Sequence, residues 1–358
     1  MAAFSYFEAA HALTVKTWEN RVSQEYRDNL FWMKYSGMDD GAIIQTKENL
    51  TKTKGDKITV GIRSNVIGGR VDGANQGVGN EGTMEYYDFG VTVDITRQLV
   101  KKEHVKISNQ RVAFDLLDDI RPAIVDQVSR NLEADITTSL TDTSTGRVRG
   151  RYLYGSSDGN WNATHATALT AVDNTNDKMG TSMVEDAKMK AQIPTLAHAK
   201  LRPMQIRTGE RMGVQEWYVL VMHLYNGRDM VRHDAAWKNA QLNIPPGTNM
   251  SSPIFTGNTF LGAWRSVLLY EWEGIPLVAS TIVVSHNLFL GAQAGVVAWA
   301  KHSTLGHEES DLGHNQIFES WEIRNLTGMK VVYDRAAVNG GITNEDNGIV
   351  HVFAAAVA

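Results

Sequence analysis

The chain has 358 residues and a formal net charge of −5, enough length for one large or two modest domains with a substantial core. The acidic balance argues against a protein that coats nucleic acid, and the lack of cysteine excludes disulfides and thiolate metal sites. The longest apolar run, Ile275 to Val284, is too short for a bilayer span, and the first fifteen residues carry Glu8 and His11 in place of a basic leader region, so a soluble protein made in the cytoplasm is expected.

In the first fifty residues, Trp18, Val22, Tyr26 and Leu30 recur at i+4 and predict one amphipathic helix. The aromatics Phe4, Tyr6, Phe7, Trp18, Tyr26, Phe31, Trp32 and Tyr35 crowd a segment with little periodic structure. They must lie on another surface, either the rest of the chain or a neighbouring subunit. Lys57 to Arg63 alternates apolar and polar residues, and so does Tyr87 to Ile95; both read as strands. The glycine-rich stretch between them reads as a long hairpin with a flexible tip. A loop of that length is either a free surface loop or an arm ordered against a neighbour.

Ser108 to Leu140 organises the rest. Leu116, Ile120, Ile124, Val128, Leu132, Ile136 and Leu140 recur every fourth position, and Leu117 and Val125 widen the stripe. The run far exceeds an average helix of about 11–12 residues. An i+4 repeat drifts by about 40° per step, so the apolar face winds and different partners must cover it along its length. Pro122 predicts a kink or break near Arg121. The segment is therefore one long spine helix over about Asn109 to Thr138, or two core helices joined at Pro122.

Thr141 to Ser182 is rich in Thr, Ser, Asn, Asp and Gly and reads as exposed loop, with Arg147, Arg149 and Arg151 on one solvated strand face or, as a minor reading, at a phosphate contact. A helix is expected over Ser182 to Ile193, a buried strand over Trp217 to Leu224, and a helix over Arg228 to Leu242 ended by Pro245-Pro246-Gly247. Val267 to Trp272 and Ile275 to Val284 are of strand length and flank a Glu273-Gly274 turn, and Leu288 to Lys301 is apolar with small residues. Phe318 to Asn325, Met329 to Asp334 and Gly348 to Phe353 read as strands closing a sheet, free to return to the spine. No internal repeat or charged linker separates lobes, so the chain is expected to pass between them more than once.

Catalytic chemistry finds little support. Gly77-Val78-Gly79-Asn80-Glu81-Gly82 matches the dinucleotide fingerprint in letters, but a strand follows where a helix should, and Glu81 would repel phosphate. His302, His307, Glu308, Glu309, Asp311 and His314 form the densest ligand-capable cluster, with spacing that fits no zincin, and read as a solvated loop. His223, His233 and Asp234 read as strand and helix edges rather than acid–base groups. No nucleophile elbow or Walker loop is present. No catalytic residue, cofactor or metal is expected.

The order of parts resembles the major capsid protein of tailed phages with the Hong Kong 97-type fold. The segments ENLTKTKGDKITVGI, GNEGTMEYYDFGVTVDITRQLVK, ISNQRVAFDLLDDIRPAIVDQ, YVLVMHLYNGRDMVRHDAAWKNA, SSPIFTGNTFLGAWRSVLLYEW, NLFLGAQAGVVAWAK and NLTGMKVVYD are similar to the family typified by coliphage N-four. They span about Glu48 to Asp334. The resemblance implies an α+β fold: an N-terminal arm (1–50), an extended β-hairpin loop (51–95), a peripheral domain with the spine helix (96–140), an α/β axial domain (141–310) and closing strands of the peripheral domain (311–358). It implies a virion protein and no enzyme: a coat subunit self-assembling as hexamers and pentamers into an icosahedral shell around double-stranded DNA, bound without sequence specificity. Scaffolding, portal and decoration proteins are the partners it suggests, and no membrane. Arg70, Asp72, Glu81, Trp18, Phe31 and Trp32 are expected at subunit interfaces, and Leu116, Ile120, Ile124, Val128 and Leu132 in the spine core. The rival classes are a metal-dependent hydrolase using the His302–His314 cluster and a soluble α/β ligand-binding protein.

Overall fold

The structure is a computed structural model and describes residues 31–51, 55–63, 69–73, 76–82, 84, 86–105, 116–193, 200–207, 214–242, 259–310, 315–334 and 342–357. A 3-10 turn (Phe31–Tyr35) leads into β1 (Ser36–Gly37) and β2 (Ile44–Lys47), then β3 (Lys57–Arg63), β4 (Tyr86–Thr92) and β5 (Asp94–Lys102). Helix α1 (Leu116–Leu140) is followed by β6 (Tyr152–Tyr154), α2 (His165–Thr170), α3 (Thr181–Gln192), β7 (Met204–Arg207), β8 (Val214–Met222), α4 (Leu224–His233) and α5 (Ala235–Leu242). Strands complete the chain: β9 (Phe260–Trp264), β10 (Val267–Glu271), β11 (Leu277–Ala279), β12 (Val283–Leu290), β13 (Gly295–Ser310), β14 (Asn315–Gly328), β15 (Lys330–Asp334), β16 (Ile342–Asp346) and β17 (Ile349–Ala355).

The spine stripe does what its spacing requires. Ile120, Ile124, Val128, Leu132, Ile136 and Leu140 are all buried, as is Val125. Leu116 opens the described helix, but its side chain lies outside the described residues. The break expected near Arg121 is absent, and α1 runs through Pro122. A proline inside a helix costs about 3 kcal/mol. Ile120 and Ile124 flank it, and burying each contributes about 1.5–3 kcal/mol, enough to carry the helix across.

Two large sheets share the core. The first has the order β1-β2-β13-β14-β5 and lies under α1. Along β14 the even positions Gln316, Phe318, Ser320, Glu322 and Arg324 are buried, while the odd positions are half-exposed. The second sheet has the order β6-β17-β12-β8-β10-β9, with β11 on β12 and β7 on β8. In β8, Val219 and Val221 join the core around α1, while Tyr218, Leu220 and Met222 face α3. Both faces are covered, so the strand reads as an unbroken apolar run rather than an alternation. β10 pairs with β8 in parallel, which requires the crossover that α4, α5 and β9 supply.

Several expected boundaries move. The strand read as Tyr87 to Ile95 is two: at Val93, whose N–H donates to Asp56 O at 2.8 Å, the chain leaves β4 and enters β5, which pairs with β14. The Arg228–Leu242 helix breaks at Asp234 into α4 and α5. Ile275 to Val284 contains β11, a turn and the start of β12. Of the closing strands, β14 packs under the spine as expected, while β17 sits between β6 and β12 in the second sheet and joins the core around α1 through Ile349. Conversely β13, expected in the axial part, is central to the first sheet. The expected boundary at residue 310 falls between β13 and its ladder partner β14.

Thr141 to Ser182 is not an open loop. Arg151 is fully buried opposite Glu345, at 3.7 Å. Arg147 donates to Ala163 O and to the Tyr154 hydroxyl, each at 2.6 Å, and lies over the Trp161 ring. Arg149 pairs with Asp158 at 2.8 Å. Arg149 keeps the solvated position expected from the alternation, while Arg151 is buried and Arg147 half-buried against its own chain.

Candidate assembly surfaces

The ribbon β3–β4 pairs from Lys57↔Thr92 to Arg63↔Tyr86 and joins neither large sheet. Its root is anchored: Ile58, Val60 and Val91 are buried against Val296 and Ala298 of β13 and against Met329. Further out, Tyr86 is 72% exposed. The described part of the tip closes on itself. At Gly69 (φ +83°) a Cβ would sit 2.6 Å from the Gly82 nitrogen, so only glycine permits this neck. Gly79 N–H donates to Glu81 Oε2 at 2.8 Å, Asn80 N–H to Gly77 O at 3.2 Å, and Asn80 Nδ2 to Gln76 O at 3.0 Å. Those backbone N–H groups, of Glu81 itself and of Gly79, hold the Glu81 carboxyl below its ordinary range. Arg70 Nε pairs with Asp72 Oδ1 at 3.0 Å, both side chains exposed. Val78 projects from this knob, 84% exposed.

The same face of the first sheet that receives the ribbon root is open at its other end. Ile95 and Leu99 of β5 are 54% and 52% exposed, and on β14 Ile323 stands beside Ile95 and Trp321 beside Arg97. Lys301 Nζ lies 3.7 Å from the Trp321 ring, and Arg97 pairs with Glu319. The opposite face is occupied by α1, where Asn131 Nδ2 donates to Gln98 Oε1 at 3.2 Å and Arg324 Nη2 to Asp135 Oδ2 at 2.7 Å. One half of this sheet's outer face is thus covered by the subunit's own ribbon, and the other half presents apolar side chains to the outside.

Of the aromatics assigned to interfaces, Trp18 lies outside the described residues. Phe31 and Trp32 are covered by their own chain. Trp32 is fully buried and donates from Nε1 to Thr137 Oγ1 of α1 at 3.2 Å. Phe31 stacks on Trp272 at 4.6 Å. Their cover comes from α1 and from the segment after β10, which leaves Trp32 no face for a neighbour. Lys34 stands over the Phe31, Tyr35 and Tyr270 rings, and burial lowers its pKa to about 8.

The candidate metal cluster is dispersed. His302 Nε2 is 3.3 Å from Glu48 Oε1, His307 stacks on Phe318 at 4.6 Å, and Glu309 accepts from Gln316 at 3.3 Å. The expected loop is strand as far as Ser310, because β13 keeps its pairing with β14 to Ser310↔Asn315. Asp311 and His314 lie outside the described residues. Among the described residues no three His, Asp or Glu side chains converge to hold an ion. His223 and Asp234 are helix caps: His223 Nδ1 accepts from Tyr225 N–H at 3.2 Å, and Asp234 Oδ1 accepts from Ala236 N–H at 2.8 Å and Trp237 N–H at 3.0 Å. Gly77 to Gly82 sits in the ribbon tip, and among the described residues the element that follows it is strand β4, not a helix.

One constellation escaped the sequence reading. His286 Nε2 and His351 Nδ1 are 2.7 Å apart, His351 Nε2 is 3.2 Å from Asp346 Oδ2, and the Tyr152 hydroxyl donates to the same oxygen at 3.4 Å. All four residues are buried, and neither the cleft between Arg149 and Lys190 nor the one beside Asp142 and Lys330 is lined by any of them. The geometry suits proton sharing but admits no substrate. The available signal was a histidine in the middle of each of two apolar strands, VVSHNLFL and IVHVFAA.

The profile of the family described as phage capsid protein matches residues 7–358. Among solved structures, the cyanophage Pam1 capsid is similar with a TM-score of 0.73 and 21% identity, over 91% of this chain and 92% of that one. The capsid of Ralstonia phage GP4 follows at 0.70 and 20%, over 90% of both chains. The capsid of Helicobacter pylori bacteriophage KHP30 gives 0.66 and 12%, over 90% and 89%. At these identities the likeness is one of fold. No curated protein matches the sequence.

Proposed function

The chain belongs to the phage capsid protein family, and from that membership we propose that it is the major capsid protein of a tailed bacteriophage, the repeated subunit of its icosahedral head. It is a structural component of the virion and not an enzyme. The fold, of Hong Kong 97 type, is α+β.

The half-covered outer face of the first sheet carries the finer reading. A two-stranded ribbon is marginal alone in water and needs a surface beneath it. The exposed patch of Ile95 and Leu99, edged by Trp321 and Ile323, needs cover of the same kind. Both needs are met when the outer part of one subunit's β3–β4 ribbon lies on the next subunit's open half-face. The two surfaces differ, so the contact is head-to-tail, the kind from which the rings of hexamers and pentamers are built. Arg70, Asp72 and Glu81 then face the neighbour, each exposed ion pair worth about 0–1 kcal/mol. The acidic balance suits a shell around double-stranded DNA, since a basic lining would grip the duplex as it enters. The motif resemblance points within the family to the coliphage N-four type. Scaffolding, portal and decoration proteins are the further partners this role implies.

Negative-stain imaging and sedimentation of purified protein test the role: closed shells are expected, and a chain that stays small under all assembly conditions overturns it. Deleting Gly68–Gly79 should leave the circular dichroism spectrum intact and abolish shells. Normal shells from that variant would remove the ribbon from the contact.

A further inference from the structure

We infer that Asp72–Gly73, in the knob at the end of the ribbon, is a site of spontaneous main-chain rearrangement to isoaspartate. An aspartate followed by glycine can close a ring on itself. The Gly73 amide nitrogen bonds to the side-chain carboxyl carbon of Asp72, and the carboxyl OH leaves as water with the amide proton. A five-membered succinimide results. Water then opens one of the ring's two C–N bonds, giving its OH to the carbon and its proton to the nitrogen. Opening the newly made bond restores aspartate. Opening the original peptide bond leaves the chain running through the Asp72 side chain, with one more methylene in the backbone. Water is released once and consumed once, so the rearrangement needs no cofactor and leaves the mass unchanged.

Among the described residues the chain offers this chemistry at Asp40–Gly41, Asp72–Gly73, Asp158–Gly159, Asn226–Gly227 and Asn347–Gly348, and the surroundings separate them. The reaction needs a carboxyl that can take a proton and a backbone that can swing its nitrogen onto it. Asp158 meets neither need. Its Oδ1 accepts from Lys190 at 2.5 Å and its Oδ2 from Arg149 at 2.9 Å, so two cations hold it ionised. Its backbone is fixed in a 3-10 turn (Asp158–Asn160), where Gly159 N–H donates to Ser157 Oγ at 3.2 Å. Asp40 is exposed, but the fully buried Gln45 donates to its Oδ1 at 3.1 Å, and the turn around it is closed by Ala42 N–H on Asp39 O at 3.1 Å. Asn226 is buried inside α4, and Asn347 donates to Gln293 O at 3.4 Å. Asp72 is different. It lies outside helix and strand, and Arg70, which pairs with it, is as exposed as Asp72 itself. An ion pair between two solvated side chains holds little. Gly73 has φ +64° and nothing within 4 Å of where a Cβ would stand, so no side chain shields its nitrogen.

The added methylene falls between the Gly69 neck and the Gly77–Gly82 turn, and the carboxylate that paired with Arg70 moves from the side chain to the main chain. This consequence rests on the reading that the knob lies against a neighbouring subunit. On that reading the rearranged tip presents a longer backbone and a displaced charge to its neighbour, so subunits held unassembled lose fit at the contact with time.

Incubation of the purified full chain at neutral pH, with peptides sampled over time by electron-transfer fragmentation, tests the site, because isoaspartate breaks into fragments that aspartate does not give. Isoaspartate at position 72 should form at least about tenfold faster than at 158 or 40. Asp72→Glu keeps the charge beside Arg70 but would need a six-membered ring, and should abolish the signal. Equal rates at 72 and 158, or no isoaspartate at 72, overturns the site. Shell yield after ageing reads the consequence separately: it should fall in wild type and hold in Asp72→Glu. Equal yields with isoaspartate present at 72 would overturn the loss of fit and leave the site standing, whereas fresh protein that forms no shells would count against the capsid reading alone.

Discussion

At Gly69 a single missing side chain sets the shape of the ribbon tip. Alanine there would meet the Gly82 backbone and hold a positive φ, a local strain of about 1–3 kcal/mol. Gly69→Ala should lower the subunit's melting temperature by no more than about 4 °C, and should lower the yield of shells in sedimentation. Under the spine the stakes are thermodynamic. Arg324 is buried between Glu322 and Asp135. Burial raises the Glu322 pKa despite Arg324 beside it. Arg324→Ala strands that carboxylate and should cost about 3–5 kcal/mol at pH 7 by denaturant titration. A raised folded pKa means protonation favours the native state, so this loss should shrink as the pH is lowered from 7 towards 5. Sequence reading fared unevenly at this scale. It recognised that Phe31 and Trp32 need cover but not that α1 and Trp272 provide it. It put Arg151 in solvent because alternation reports which face a side chain takes, not that Glu345 waits opposite. The His286–His351 pair was invisible for the same reason.

Among the elements, those whose signal is local were legible. The spine announced itself through its i+4 stripe, and the β3–β4 ribbon through alternation, because both patterns lie within one stretch of chain. Ile124 is 1% exposed at the middle of the stripe. Ile124→Asp should abolish soluble folded protein, an unpaired buried carboxylate costing several kcal/mol against a net stability of about 5–15; a soluble variant with a native dichroism spectrum would refute that packing. Strands defined by distant partners were missed or misjoined. β5 is mostly exposed and has no apolar alternation of its own; β14 makes it a strand. β11 and β12 merged into one apolar run because Leu277 and Val283 are apolar though exposed, and the turn between the strands, Ser280 to Ile282, carries neither glycine nor proline.

For the whole molecule, the interleaving of the two sheets was foreseen in kind but not in its course. The expected axial unit, 141–310, contains β13 without its partners β2 and β14, and lacks β17. Expressed alone it should be insoluble or lack a cooperative melt, whereas a self-contained domain would melt as one. The central place of β17 also has a consequence for the order of events at the ribosome. β6 is synthesised about 200 residues before the strand that completes its side of the sheet, and at about 5–20 residues per second that leaves it waiting on the order of ten to forty seconds. Until then β6 and β12 expose unpaired edges to chaperones and to other nascent chains. A truncated translation product lacks β17 and cannot close its second sheet. A subunit in which β17 has yet to be made therefore lacks the strand that joins β6 to β12.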